Sequence, residues 1–186
     1  MALATRIKSC TRCSLRQGCT QVVLGRGDPT CKLWYVGEAP GREEDALGHC
    51  FVGRAGRLLN LLNIKVGIRC GYIDNLVKCR PPANRNPQQD EAETCTVWLK
   101  EQLNKHRPKV IVAMGRFSIG FFRGYDWGKT RSMAVTKEVF GYTEYGGHLV
   151  VATCHPAYLC RNSEAIPGFL SQLRLARSLY LKHGHK

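Results

Sequence analysis

Four short apolar runs constrain the fold of this chain more than any other feature. They lie in "CKLWYVG", "GYIDNLVK", "KVIVAMG" and "HLVVATC", and each is rich in β-branched or aromatic residues. Helix-patterned stretches stand between and after them: "AGRLLNLLNIKVG", "PQQDEAETCTVWLKEQLNKHR", "RFSIGFFRG" and "GFLSQLRLARSLYLKHG". The second of these opens with Pro and acids and closes with Lys, His and Arg, as the helix dipole favours. Strands alternating with helices predict an α/β sandwich around a largely parallel sheet. Residues 130–147, rich in Gly and β-formers, read as a hairpin or irregular excursion. With 186 residues and no repeat or linker, residues 1–186 read as a single domain whose first 30 residues form an arm.

In such sheets ligands bind beyond the carboxyl ends of the strands. Gly37, Glu38 and Ala39 follow the first strand, Asn75 ends the second, and His155 follows the last. These sequence-distant points are therefore expected to meet in one pocket. The turn "GEAPG" after the first strand has the glycines of a phosphate loop, yet it carries Glu38 and no following Lys-Ser/Thr. A carboxylate does not belong where anions bind, so a nucleotide-phosphate site is disfavoured.

Lys and Arg number 28 against 14 Asp and Glu, a net charge of +14, with Arg spread among Gly-rich turns. Nucleic acid is the expected partner. No apolar run is long enough to span a bilayer, the first residues lack an apolar leader core, and no long basic amphipathic helix stands out. The expected location is the cytoplasm, in association with the nucleoid.

Ten cysteines are out of keeping with disulfides in a reducing compartment. Cys10 and Cys13 form a C-x2-C turn, Cys79 ends the second strand region, and Cys95 follows sixteen positions later in a helix. That spacing predicts a metal centre. The long C-x15-C half matches no common zinc ribbon, so an iron–sulfur cluster leads over zinc and over four unrelated buried thiols. Cys19, Cys31, Cys50, Cys70, Cys154 and Cys160 show no ligand spacing and read as small apolar fillers.

"GEAPGREED", "CFVGRAGRLL", "DNLVKCRPP" with the later Cys95, and "CHPAYLCRN" together resemble the family 4 uracil-DNA glycosylases, in that family's order, over about residues 8–178. The resemblance implies a three-layer α/β/α sandwich around a four-stranded, mainly parallel sheet. It implies a structural [4Fe–4S] cluster on Cys10, Cys13, Cys79 and Cys95. It further implies removal of uracil from single- or double-stranded DNA by a monomer, in base-excision repair. Cys50 stands where the family usually has Pro before the stacking aromatic, a change that loosens the hold on Phe51. Cys19 adds a thiol beside the C-x2-C arm. A related branch that traps DNA covalently carries a basic loop with a His after the second strand, and "VKCRPPANRNPQQDE" has none.

Carried onto this sequence, the uracil pocket is Gly37, Glu38, Ala39, Phe51, Asn75 and His155. Asn75 reads uracil with one amide, against the plainer role of capping backbone groups at a strand end. Phe51 stacks on the base, and His155 donates to uracil O2 as the glycosidic bond breaks, against the plainer role of a locally bonded histidine. Glu38 stands near the sugar to orient water or stabilise the cation. Family 1 enzymes carry an Asp where Ala39 stands, so Glu44 is a second catalytic candidate, against a solvated acidic helix start in "REED". Leu159 is the wedge that fills the vacated stack, with Arg161, Arg80 and Arg85 on the phosphates. The rival readings are a glycosylase for another base, such as 5-hydroxymethyluracil or hypoxanthine, and a catalytically silent DNA-binding homologue.

Overall fold

The computed structural model describes residues 2–124 and 141–184. Within them the order is α1 (Leu3–Lys8), α2 (Leu15–Gly18), β1 (Arg26–Gly27), β2 (Leu33–Gly37), α3 (Arg42–Leu47), α4 (Arg54–Lys65), β3 (Tyr72–Asn75) and α5 (Gln89–His106). There follow β4 (Val110–Met114), α6 (Arg116–Arg123), β5 (Tyr142–Tyr145), β6 (His148–Thr153), α7 (Pro156–Leu159) and α8 (Ile166–His183). The sheet runs β1-β3-β2-β4-β6-β5. Its four inner strands are parallel, as the four apolar runs predict.

The sheet has six strands rather than four. β1 pairs antiparallel with β3, and β5 antiparallel with β6. Both additions are edge strands, where one ladder of hydrogen bonds suffices and a continuous apolar run is not needed. β5 and the turn to β6 supply the hairpin expected before the last run, while residues 130–140 of that expectation lie outside the described residues.

Alternate residues of each inner strand feed opposite faces. Trp34, Val36, Tyr72, Ile111, Ala113, Val150 and Ala152 pack with α1, α5 and α6. Leu33, Tyr35, Ile73, Val110, Val112, Met114 and Val151 pack with α4 and α8. β2 and β4 are buried at every position, which is why they read as unbroken apolar runs. On α8, Phe169, Leu170, Leu173, Ala176 and Leu179 make the single apolar stripe expected of a helix on a sheet. The result is a three-layer α/β/α sandwich. The chain leaves β2 for β3 on one side and then reaches β4 and β6 on the other. That reversal opens a cleft at the carboxyl ends of the strands.

The arm is fastened to this core. Buried Asp45 in α3 accepts the Thr20 N–H (2.9 Å) and hydroxyl (2.8 Å). Leu3 and Ile7 of α1 join the core against α5, and Arg6 pairs with Glu101.

Candidate active site

Gly37 and Asn75 are register partners at the ends of β2 and β3, so the two strands deliver them side by side. The pairing continues past the strands, with Leu76 N–H donating to Gly37 and Val77 N–H to Glu38. A Cβ on Gly37 would lie 2.5 Å from Asn75 Oδ1 and 2.7 Å from Phe51 Cζ. Only glycine lets the aromatic ring and the amide close over this strand end. A cavity of about 410 Å³ opens here, lined by Glu38 to Gly41, Glu44, Phe51, Asn75, His155 and Arg161 among others. The sequence-distant points thus meet in one cleft.

Phe51 is buried, with φ 54° in the left-handed region that a side chain rarely adopts. Two contacts hold it there. Gly56 leaves space for the Phe51 carbonyl, which a Cβ would overlap, and Arg26 donates to the Cys50 and Phe51 carbonyls at 2.7 and 3.2 Å. With Cys50 in place of Pro, Phe51 is held through its own carbonyl and the one before it. Cys50 is not a filler, since its sulfur accepts from Asn75 Nδ2 at 3.4 Å. Ala83 and Asn84 are also left-handed, and their turn forms another part of the rim through Pro81, Asn84 and Arg85.

Asn75 is 1% exposed, yet its Oδ1 has no hydrogen-bond partner among the described residues. It caps no backbone group with its side chain: the one bond made by that amide goes to Cys50. A buried acceptor left open carries a real cost, and in a cleft it points to a ligand that donates.

His155 caps α7, its Nδ1 accepting the Ala157 N–H at 3.2 Å. That bond fixes the tautomer and leaves Nε2–H as the donor of the ring. Burial pulls the imidazole down to about 4, and the Arg161 charge adds to the shift, so the ring is neutral at ordinary pH. Burial pushes the Glu38 carboxyl up to about 7, with Arg116 at the start of α6 opposing. Arg116 follows β4 at the same edge of the sheet, in a stretch whose sequence carries no motif.

The other predicted residues are set differently. Glu44 accepts the Gly53 N–H at 2.9 Å, capping α4 while walling the cavity. Arg161 is exposed at the rim. Arg80 donates to Asn84 at 2.7 Å. Arg85 forms a two-pronged pair with buried Glu91, at 2.8 and 2.6 Å, which also accepts the Gln88 N–H. Leu159 is buried in the layer of α4 and α8.

Cys10, Cys13, Cys79 and Cys95 all border one small cavity, about 10 Å³, together with Lys78 and Trp98. Among the described residues no group of three or more His, Cys, Asp or Glu is arranged to hold a metal ion. The donor set itself fits an iron–sulfur cluster. Trp98 Nε1–H donates to Cys10 sulfur (3.2 Å) and Lys78 N–H to Cys95 sulfur (3.3 Å), the kind of bond that tunes cluster thiolates. Burial, then the charges of Cys19, Cys95 and Cys13, push the Cys79 thiol well up. Cations bound between these sulfurs would relieve that repulsion. Cys19 is thus close to Cys79 rather than a remote filler. Cys70 likewise is exposed, 3.1 Å from Cys31 sulfur.

The family model of the uracil DNA glycosylase superfamily matches residues 24–176. A type-4 uracil-DNA glycosylase of Thermotoga maritima is 41% identical over 187 aligned positions, covering 98% of this chain and 95% of that protein. Type-4 uracil-DNA glycosylases of Archaeoglobus fulgidus and Saccharolobus solfataricus are 41% and 37% identical. Each covers 83% of this chain, with 80% and 74% of their own lengths matched. No helix among the described residues is long and apolar enough to cross a membrane.

Proposed function

The chain belongs to the uracil-DNA glycosylase superfamily, and we propose that its cleft takes in a flipped uracil and hydrolyses the bond joining that base to DNA. The observation that carries the assignment of residues is the buried, open Oδ1 of Asn75. Uracil offers N3–H, the donor this atom lacks. The Nδ2 hydrogen not directed at Cys50 donates to uracil O4, so one amide reads both groups. Phe51 stacks on the ring. Gly37, without a side chain, leaves the floor of the slot open.

As the C1′–N1 bond breaks, its electron pair passes to uracil and the charge spreads onto O2. His155 Nε2–H donates there, a contact that strengthens as the charge grows. A water oxygen then bonds C1′, and its proton passes to the Glu38 carboxylate. The uracil anion leaves and takes a proton from solvent. Glu44, committed to Gly53, caps α4 and forms the wall rather than acting on water. Arg161 and Arg80 meet the phosphates around the flipped nucleotide. Leu159 can serve as the wedge only if the turn 155–161 shifts on DNA, since it is now core.

Cys10, Cys13, Cys79 and Cys95 would hold a [4Fe–4S] cluster, which supplies a structural cross-link between the arm, the loop after β3 and α5. We read residues 1–186 as one domain acting as a monomer, because the cleft is complete within one chain. Ten free cysteines and the net charge of +14 support work in a reducing cytoplasm on nucleoid DNA, in base-excision repair.

The test is a panel of otherwise identical single- and double-stranded oligonucleotides bearing uracil, thymine, hypoxanthine or 5-hydroxymethyluracil, followed by alkaline cleavage of abasic sites. Strand scission confined to uracil is expected. Scission at hypoxanthine in preference to uracil, or at none of the bases, would reject the assignment.

A further inference from the structure

Directly beneath the base-reading amide lies an ion pair that uracil chemistry does not itself require. Lys78 Nζ is 2.7 Å from Asp74 Oδ1, and the two side chains are 2% and 0% exposed. Charges so fully buried are costly to desolvate, and a well-packed apolar pair often serves stability as well or better. Their bonds suggest what the pair is for. Lys78 Nζ donates to the Asn75 carbonyl at 2.8 Å, and Asp74 Oδ1 accepts the Asn75 N–H at 2.8 Å. Both peptide groups of Asn75 are therefore held by the same pair. Asp74 is anchored in turn by Gln102 of α5, whose amide donates to Oδ2 at 2.8 Å. The main chain of Lys78 is fixed on two sides, its N–H on Cys95 sulfur and its carbonyl on Val23 N–H.

We infer that Asp74 and Lys78 are positioning residues that set the orientation of Asn75, so that its amide meets the base edge without rearrangement when the base enters. This rests on the reading of Asn75 as the uracil-recognition residue. β3 ends at Asn75, and two further bonds, from Leu76 N–H to Gly37 and from Val77 N–H to Glu38, carry the pairing with β2 into the loop. Those bonds are made by the residues after Asn75, and its own N–H and carbonyl are held by Asp74 and Lys78 instead. A cation on the carbonyl and an anion on the N–H, both walled off from water, lock the peptide planes on either side of it. The lock is polar because only directed bonds fix a rotation. An apolar pair of equal volume would fill the space and leave that rotation unset.

The experiment is a double-mutant cycle on the full-length holoprotein. Replacing the pair together by Asp74→Asn and Lys78→Met removes both charges and leaves no stranded ion. The single-turnover rate on uracil DNA is expected to fall about tenfold or more, the scale of a misplaced contact group. Affinity for uracil-free DNA and the visible absorption of the protein are expected to stay as in the parent. The same pair of substitutions in an Asn75→Ala background is expected to cost less than about twofold, because what they position is already gone. A parental rate in the charge-free variant, or an equal loss in both backgrounds, would overturn the inference. If Asn75→Ala itself excises uracil at the parental rate, the assignment of Asn75 fails first, and with it the basis for the positioning role. Should the charge-free variant not fold, Gln102→Leu, which releases Asp74 from α5, is expected to lower the rate in the same Asn75-dependent manner, and no loss there would overturn the inference as well.

Discussion

The rings of Phe51 and His155 lie 5.5 Å apart and are tilted by 33°, so the surface that would stack the base touches the donor that would take its charge. Their supports are separate. Phe51 hangs from Arg26 and Gly56, whereas His155 is set by the Ala157 N–H and closely abutted by Gly115. Removing one should leave the other in place. His155→Ala is expected to lower the single-turnover rate roughly a hundredfold or more, the scale of a lost oxyanion donor. Affinity for DNA with a non-cleavable uracil analogue should change far less, since that contact belongs to the transition state. Equal losses in binding and rate would make His155 structural.

Glu38 and His155 are shifted by burial in ways that give different pH signatures. The Glu38 carboxyl, raised to about 7, is protonated below that pH and unable to accept a proton from water. kcat/KM is therefore expected to climb with pH and level off above about 7, with a slope of about one on the acid side. His155, lowered to about 4, stays neutral across this range and adds no second limb. Glu38→Gln should lower the rate and abolish the limb. Arg116→Ala, by removing the cation that holds Glu38 down, should move the limb to higher pH. A flat profile in the parent enzyme would remove Glu38 from proton transfer.

Asn75→Asp replaces the donor facing uracil O4 with an acceptor and keeps an acceptor for N3–H. Uracil excision should fall by about a hundredfold or more, because a site built to pair a polar edge rejects one it cannot pair. Cytosine, with an amine at position 4, fits the new pattern at that edge. Weak cytosine excision is the gain to look for, and an unchanged uracil rate would take Asn75 out of the pocket.

The parts of this site that can be read from sequence are those carried by local pattern. β2, β4 and β6 announce themselves as apolar runs, and the residues just past β2, β3 and β6 fall together by the general rule for parallel sheets. β1 does not, because two residues with Gly27 at φ 95° make no run at all. Arg116 obeys the same rule as His155, but "MGRF" carries no motif that marks it. Asp74 and Lys78 look like ordinary polar residues in "YIDNLVK". Nothing in the string says that both are sealed from water, which depends on α5 closing over them. Arg85 reads as a phosphate contact, yet its charge is already engaged by Glu91 six positions on, a partnership set by the turn at Pro82–Asn84 rather than by helical spacing.

That engagement separates two arginines by experiment. Arg161 is exposed at the rim, so Arg161→Ala should weaken binding to uracil-free and abasic DNA alike and reduce the salt slope by about one. Arg85→Ala instead strands the buried Glu91 carboxylate, and its main effect should be a lower melting temperature. Equal salt slopes for parent and Arg161→Ala protein would show that this arginine meets no phosphate. An unchanged melting temperature for Arg85→Ala would show that its pairing with Glu91 is not structural.

Five thiols gather where four are expected, and the fifth tests the ligand assignment. Cys19 lies beside Cys79, and its sulfur also accepts from Arg16 at 3.8 Å. If the cluster sits on Cys10, Cys13, Cys79 and Cys95, the purified protein is brown with broad absorption near about 400 nm. Cys19→Ser should then keep the colour and the iron content, because the hydroxyl leaves all four ligands untouched. Cys79→Ser should lose both, along with most of the folded yield, since the arm and α5 are no longer tied to the loop after β3. The surviving folded fraction should still excise uracil, the cross-link being remote from the reacting atoms. Chelating the iron from parent protein should lower its melting temperature in the same way. Retained iron in Cys79→Ser but not in Cys19→Ser would exchange the two residues in the ligand set, and one zinc per chain in colourless, active protein would replace the cluster altogether.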